Sequence, residues 1–306
     1  MKRSYFSILF ALFIGATMFS ACGVRTETQQ QQQQQQEEER RIYIQLWSLN
    51  RYVGADFRGT IERVAEMGYA GVELFGFNNG MWFGLTPTEV REIVEETGMR
   101  IVSSHVHRAL APEPEETDWD AIWEFWDVAF QAHKEAGITY LVDPAVGAAR
   151  LQTLEHVLAY AEYFNEIGRR AAAYGLRFGY HNHAWELEIK HNGQSVWDIL
   201  IENTCPELVF FQLDVYWVAR ANSSDYVVEL FNRFPGRFHL LHIKDTGALG
   251  APDIGIMNFD YIFNNLENSG AMYMIVEIER VEDQMGAAAA SIEYLKSAPW
   301  FRNNYR

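Results

Sequence analysis

Four short runs carry the side chains best suited to chemistry. They are Gly179-Tyr180-His181-Asn182-His183 with Glu186 just beyond, Gln212-Leu213-Asp214, His242-Ile243-Lys244-Asp245 and Val276-Glu277-Ile278-Glu279. Each closes a β-rich stretch, and two similar stretches end near Glu73 and in Ser104-His105-Val106-His107. Imidazole and carboxylate donors converging from separate strands are what a borderline or hard divalent ion needs. Singly, each residue has an ordinary structural reading. A strand-end His is commonly hydrogen-bonded in place, the Glu of Gly-Val-Glu-Leu can pair with a basic neighbour, and Asp245 can cap the following loop. Recurrence of ligand types at the ends of four consecutive strands favours the metal site.

The elements that must position these groups alternate strictly from Ile42 onwards. Predicted strands cover Ile42 to Leu49, Gly71 to Phe75, Arg100 to His105, Tyr140 to Asp143, Arg177 to His183, Val209 to Asp214, Phe238 to His242 and Tyr273 to Glu277. A helical pattern follows each. Thr86-Pro87-Thr88-Glu89 opens the second helix with an N-cap, a first-turn proline and a capping-box glutamate, and glycines at 68, 98, 137 and 175 stop the first four helices. Eight strand–helix units imply right-handed crossovers, a parallel sheet and a closed (β/α)8 TIM barrel in one domain, residues 42–306. A doubly wound open sheet is the alternative, but no Gly-x-Gly-x-x-Gly follows the first strand. In such barrels the active site sits at the C-terminal strand ends, where the ligand types lie.

With those motifs in place, the chain resembles the sugar phosphate isomerase/epimerase family, whose fold is a xylose isomerase-like barrel. The resemblance runs from Ile42 to Trp300 and rests on Gly179–His183 with Glu186, Leu213-Asp214-Val215-Tyr216-Trp217, His242-Ile243-Lys244-Asp245 and Ile275-Val276-Glu277. It implies one Mn, Mg, Co or Zn ion held by Glu, Asp, His and Glu from strands five to eight. Asp214, His242 and Glu277 match the last three positions. On strand five the usual Glu falls on His181, and a catalytic His of some relatives falls on His183. Either His181 is the fourth ligand, the reading preferred here, or Glu186 reaches in from the loop. A neutral imidazole in place of a carboxylate favours Zn or Co over Mg.

A site of this kind supports proton abstraction next to a carbonyl, followed by isomerisation, epimerisation or loss of a β-leaving group. His183 or Glu186 is the expected base. Lys244 is a candidate to stabilise oxyanion charge, an ion pair with neighbouring carboxylates being its equal alternative. Glu73 and His105, with Trp185 and Trp217, are expected to bind substrate. Trp47, Trp82, Phe83 and Tyr216 belong to the same end, some as sugar-stacking rings and some as packing.

The N-terminus bears on the substrate. Lys2 and Arg3 precede an apolar run from Tyr5 to Phe19, and Phe19-Ser20-Ala21-Cys22 is similar to a bacterial lipobox. Residues 1–22 therefore read as a signal peptide with an acylated cysteine, and residues 23–41, with Gln29 to Gln36 unbroken, as a polar tether. The expectation is an exported protein, periplasmic or at the outer membrane, whose only membrane attachment is a lipid. Phosphosugars are chiefly cytoplasmic and no Lys/Arg cluster stands out, so the expected substrate is an unphosphorylated carbohydrate. Relatives acting on 3-keto-glycosides or inososes make a lyase or hydratase the runner-up. A net charge of −16, from 41 acidic against 25 basic residues, argues against nucleic acid and hence against an endonuclease of the same superfamily. A carbohydrate-binding lipoprotein without catalysis is the third reading, supported by the missing strand-five Glu. Cys205 reads as a buried structural thiol.

Overall fold

The structure, a computed structural model, describes residues 42–251 and 255–300. The expected signal peptide, acylated cysteine and tether lie outside the described residues, within which no helix is long and apolar enough to cross a membrane.

Eight units follow one another: β1 (Ile42–Gln45) and α1 (Phe57–Met67), β2 (Gly71–Leu74) and α2 (Pro87–Glu95), β3 (Arg100–His105) and α3 (Trp119–Glu135), β4 (Tyr140–Asp143) and α4 (Leu154–Ala173). Then come β5 (Arg177–His181) and α5 (Val196–Glu202), β6 (Val209–Asp214) and α6 (Tyr226–Arg233), β7 (Leu240–Ile243) and α7 (Phe259–Phe263), β8 (Tyr273–Val276) and α8 (Gln284–Ser297). The strands pair in parallel in chain order, and β8 returns to β1 to close the barrel. Helix starts are set by side chains that take an orphan N–H: Asp56, Asp118, Thr153, Ser195, Asn258 and Asp283 each cap one. Thr86 and Glu89 form the capping box of α2 as expected.

Several boundaries differ from the sequence expectation. β1 ends at Gln45, whose side chain accepts the Trp47 N–H and starts a 3-10 helix over Leu46–Leu49. β5 stops at His181, so His183 lies in the loop, and β7 begins at Leu240. Two small hairpins, Phe77–Asn78 with Met81–Trp82 and Lys190–His191 with Gln194–Ser195, decorate loops that carry no long periodic pattern.

The apolar core lies in two places. One layer packs between the strands and the helices; the other, inside the barrel, contains Tyr43, Val102, Tyr140, Val142, Phe210, Leu240 and Ile275. Along β6, Val209, Phe211 and Leu213 join the outer layer and Phe210 the inner one, as the two-residue side-chain period of a strand requires. The inner apolar plug fills the N-terminal half of the barrel, and above it every strand but β4 turns a polar side chain inwards: Gln45, Glu73, Ser103, His181, Gln212, His242 and Glu277. On β3 the period is broken by a bulge: Val72 pairs with Ile101 but Glu73 with Ser103. Val102 and Ser103 thus both serve the interior, while Ser104 turns outwards to accept a hydrogen bond from Trp82 Nε1 at 3.0 Å.

Candidate metal centre

The floor of the site is built on Glu73. Its buried carboxylate accepts from Gln45 Nε2 at 2.7 Å, Gln212 Nε2 at 2.6 Å and Ser103 Oγ, and lies 2.6 Å from His242 Nε2 and 3.1 Å from His105 Nε2. Burial alone raises a carboxyl pKa, but the neighbouring His105 and His242 outweigh it and hold Glu73 well below the usual range. An ionised carboxylate only accepts, so His242 donates through Nε2 and turns Nδ1 towards Glu277 Oε2, 2.8 Å away. A carboxylate behind a histidine is how ligating imidazoles are oriented.

Gln212 orients a second imidazole. Its amide N–H goes to Glu73, so its Oε1 accepts from His105 Nε2 at 2.9 Å and His181 Nδ1 at 3.1 Å. His181 is left with Nε2 as its lone-pair nitrogen. Asp214 is fixed from both ends. Its backbone N–H donates to Asn182 Oδ1 at 2.8 Å, and its Oδ1 accepts the Trp217 N–H, capping a helix over Val215–Ala221. Its Oδ2 is buried and has no hydrogen-bond partner.

His181, Asp214, His242 and Glu277 each offer one donor atom, and the four atoms lie within 4.8 Å of one another. With bonds of about 2.1 Å, opposite ligands of one ion stand about 4.2 Å apart, so a small contraction brings all four onto a cation. The orphaned Asp214 oxygen and the free His181 nitrogen fit that use. Lys244 Nζ sits at the edge of the group, 3.6 Å from Asp214, 3.5 Å from Glu277 and 3.2 Å from Glu279, over the Trp217 ring at 4.6 Å. Asp214 is raised to about 7 by burial despite Lys244, whereas at Glu277 the Lys244 and His242 charges overcome burial and lower it. His242 is raised to about 10 because Glu73 and Glu277 outweigh its burial, so a cation binding at Nδ1 would displace the proton held there.

Above the cluster opens a recess of about 430 Å³ lined by Trp47, Phe77, His105, His107, His183 and Glu279 among others, with no Lys or Arg in its wall. His183 stacks on Trp185 with ring centroids 4.2 Å apart, and burial lowers its pKa to about 4. A second recess of about 360 Å³ lies between Tyr216, Trp217, Lys244, Ala248 and Arg280, sharing Glu279 with the first.

Residues 61–298 match the family model described as xylose isomerase-like TIM barrel. The chain belongs to that family. A sugar phosphate isomerase/epimerase from Parabacteroides distasonis is similar to it at 29% identity and a TM-score of 0.76, over 85% of this chain and 95% of that one. A second such protein from the same organism gives 27%, 0.75, 85% and 99%. The apo 3-keto-D-glucoside 4-epimerase of E. coli shares the fold at 17% identity, with a TM-score of 0.62 over 84% of this chain and 99% of that one. Comparison with curated proteins finds no match.

On this xylose isomerase-like barrel the expected site residues separate into three groups. The four proposed ligands converge, with His181 and not Glu186 in the strand-five position. His183, His105 and Lys244 surround them, and Trp217 lines the second recess. Glu73 and Glu186 do not take the places expected of them. Glu73 lies beneath the four proposed ligands with its carboxylate engaged by Gln45, Ser103, Gln212, His105 and His242. Glu186 is turned inwards by the short helix Trp185–Glu188; it accepts from Tyr180 Oη and from the His183 N–H at 2.8 Å, away from the recess. Trp185 backs His183 and is tied to the Val146 carbonyl at 3.1 Å. Trp82 is fully buried core, and Asp245 caps its loop by accepting from Thr246 and Ile256. Cys205 is half-buried rather than buried, with its Sγ 3.0 Å from Glu207, because it sits at the turn into β6. Gln45, Ser103, Asn182 and Gln212 also shape the site, with no role assigned to them from the sequence alone. Gln212 was visible as the residue sharing the Asp214 face of its strand; the other three had no signal.

Proposed function

We propose that this enzyme, of the sugar isomerase/epimerase type, uses one divalent metal ion to move a proton next to the carbonyl of an unphosphorylated sugar or keto-sugar. The observation that carries the reading is the convergence of His181, Asp214, His242 and Glu277, with a buried Asp214 oxygen that has no hydrogen-bond partner. When bound there, a cation supplies Lewis-acid polarisation of a carbonyl or hydroxyl oxygen and lowers the cost of the charge left by deprotonation.

The chain's own residues supply the rest. His183, kept neutral at pH 7 by burial, is the group in the recess suited to accept a proton. Its stacking on Trp185 fixes the plane in which it does so. Lys244, held by Glu279 and Glu277, places positive charge at the edge of the cluster, where oxyanion character would develop. Trp47 and Phe77 offer apolar faces to sugar C–H groups. The absence of Lys and Arg from the wall of the first recess supports an unphosphorylated substrate, as does the export signal read from residues 1–22.

The second recess favours one further reading. A glycoside placed with its reacting ring over the cluster has space for its other half beyond Lys244 and Glu279, which suits a lyase acting on a 3-keto-glycoside. Incubation of the metal-loaded enzyme in D2O with free ketoses and with 3-keto-glycosides tests both readings. Deuterium at a carbon next to the carbonyl is expected, and its loss in Asp214→Asn together with bound metal. No exchange with any of these sugars would overturn the function.

A further inference from the structure

The metal cluster draws on β5 to β8, and the opposite side of the mouth carries a second pair of titratable groups. His107 lies two residues beyond β3, and Asp143 ends β4. In an eight-strand barrel closed in chain order, β3 and β4 stand across the axis from β7 and β8. The His107 Nδ1 is 2.8 Å and 3.0 Å from the two oxygens of Asp143. Asp143 is fully buried, and its Oδ1 also accepts the Ala145 N–H at 3.1 Å, so the carboxylate is fixed by the backbone. Because that carboxylate only accepts, Nδ1 carries the proton and Nε2 is left for a ligand. His107 is 35% exposed and lines the same recess as His183 and Glu277.

An ion pair that merely ties down the loop would look similar, but the loop is held without it. Val106 N–H donates to the Val142 carbonyl at 2.9 Å, Ala111 N–H to Thr117 Oγ1 at 3.1 Å, Tyr163 Oη to the Arg108 carbonyl at 2.8 Å, and Arg150 to the Leu110 carbonyl at 2.5 Å. The charged groups around the ring are Asp143, Arg150 and Arg108. Asp143 raises its proton affinity above that of ordinary imidazole, against burial and the two arginines. A buried carboxylate orienting an accessible imidazole is the arrangement that general acid–base catalysis uses.

We propose that His107, held by Asp143, is a second proton-transfer residue of the recess, delivering a proton to the substrate from the side away from the metal cluster. This rests on the site taking a proton from carbon next to a carbonyl. That C–H bond breaks with its electron pair left on the substrate. In an epimerisation the pair forms a new C–H bond with the proton from His107 Nε2. In an elimination the pair forms a C=C bond as the C–O bond to the leaving group breaks, and the departing oxygen takes that proton. Either way the ring returns to neutral and regains a proton from water at the open mouth. Asp143 is the positioning residue.

The test uses the zinc-loaded enzyme with D-fructose and a methyl 3-keto-glucoside. His107→Gln is expected to keep bound metal and α-carbon deuterium exchange within a few-fold, while net turnover falls by ~100-fold or more. Asp143→Asn is expected to lower turnover at least tenfold. Imidazole-ring 15N spectra should show His107 protonating above the ordinary imidazole value in the unaltered enzyme and lower in Asp143→Asn. Unchanged turnover in His107→Gln, equal loss of exchange and turnover, or a His107 titration indifferent to Asp143 would each overturn the proposal. Absence of exchange in the unaltered enzyme would instead overturn the reading of the site, and this proposal with it.

Discussion

Glu73 shows how one residue can matter to a site without touching what binds there. It accepts from three uncharged donors and faces two imidazoles, so its charge sets the proton positions of His242 and His105. Glu73→Gln keeps the shape and removes the charge, and metal affinity is expected to fall 10- to 100-fold, as measured by titration calorimetry on the refolded or native enzyme. Glu186 makes a different case. Burial lifts its carboxyl from near 4.5 to about 7 in spite of its hydrogen bonds. Between those values the folded state holds a proton that the unfolded state has released, so stability falls as pH rises through the window. The cost at pH 8 is about 3 kcal/mol, on a scale of roughly 1.4 kcal/mol per pKa unit. Glu186→Gln should therefore be more stable than the unaltered enzyme at pH 8 but not at pH 4.5. Thermal unfolding across that range measures the difference; parallel pH curves for the two proteins would refute it.

At the scale of elements, strands and helices were legible because their signals are local. The capping box at Thr86 and Glu89, the glycine stops and the runs of Val, Ile, Leu and Phe each follow from a few neighbouring residues. The four proposed ligands, which the fold brings together, were legible for the same reason: each lies at the end of a recognisable strand. What escaped the sequence depends on pairing between distant strands. The bulge between β2 and β3 decides that Ser103 and not Ser104 meets Glu73, and nothing within β3 announces it. The His107–Asp143 pair joins residues 36 positions apart and was likewise out of reach. Gly179 illustrates the dependence from the other side. A Cβ there would stand 2.5 Å from the Phe210 ring, in the plug beneath His181. Gly179→Ala is expected to destabilise the barrel by about 1–3 kcal/mol and to weaken metal retention, read from the melting temperature and the metal content.

For the whole molecule, a cation held by the four proposed ligands would tie together strands from half the barrel and stabilise only the folded form. At a free metal concentration 100-fold above the dissociation constant the gain is about 2.7 kcal/mol. A rise in melting temperature of several degrees on adding Zn or Mn to chelator-treated enzyme is expected, and its absence in Asp214→Asn. Equal melting temperatures with and without metal would count against a site made by these four residues.

Glu279 is wall to both recesses and holds Lys244 at 3.2 Å. Whatever fills one recess therefore alters the partner offered to the other. Two fragments of a larger ligand would not bind as independent events: their free energies, measured separately, would fail to add to that of the joined molecule. The shortfall or surplus would be a coupling between the two recesses, carried by the Lys244–Glu279 ion pair and open to adjustment at residue 279 while the four proposed metal ligands stay as they are.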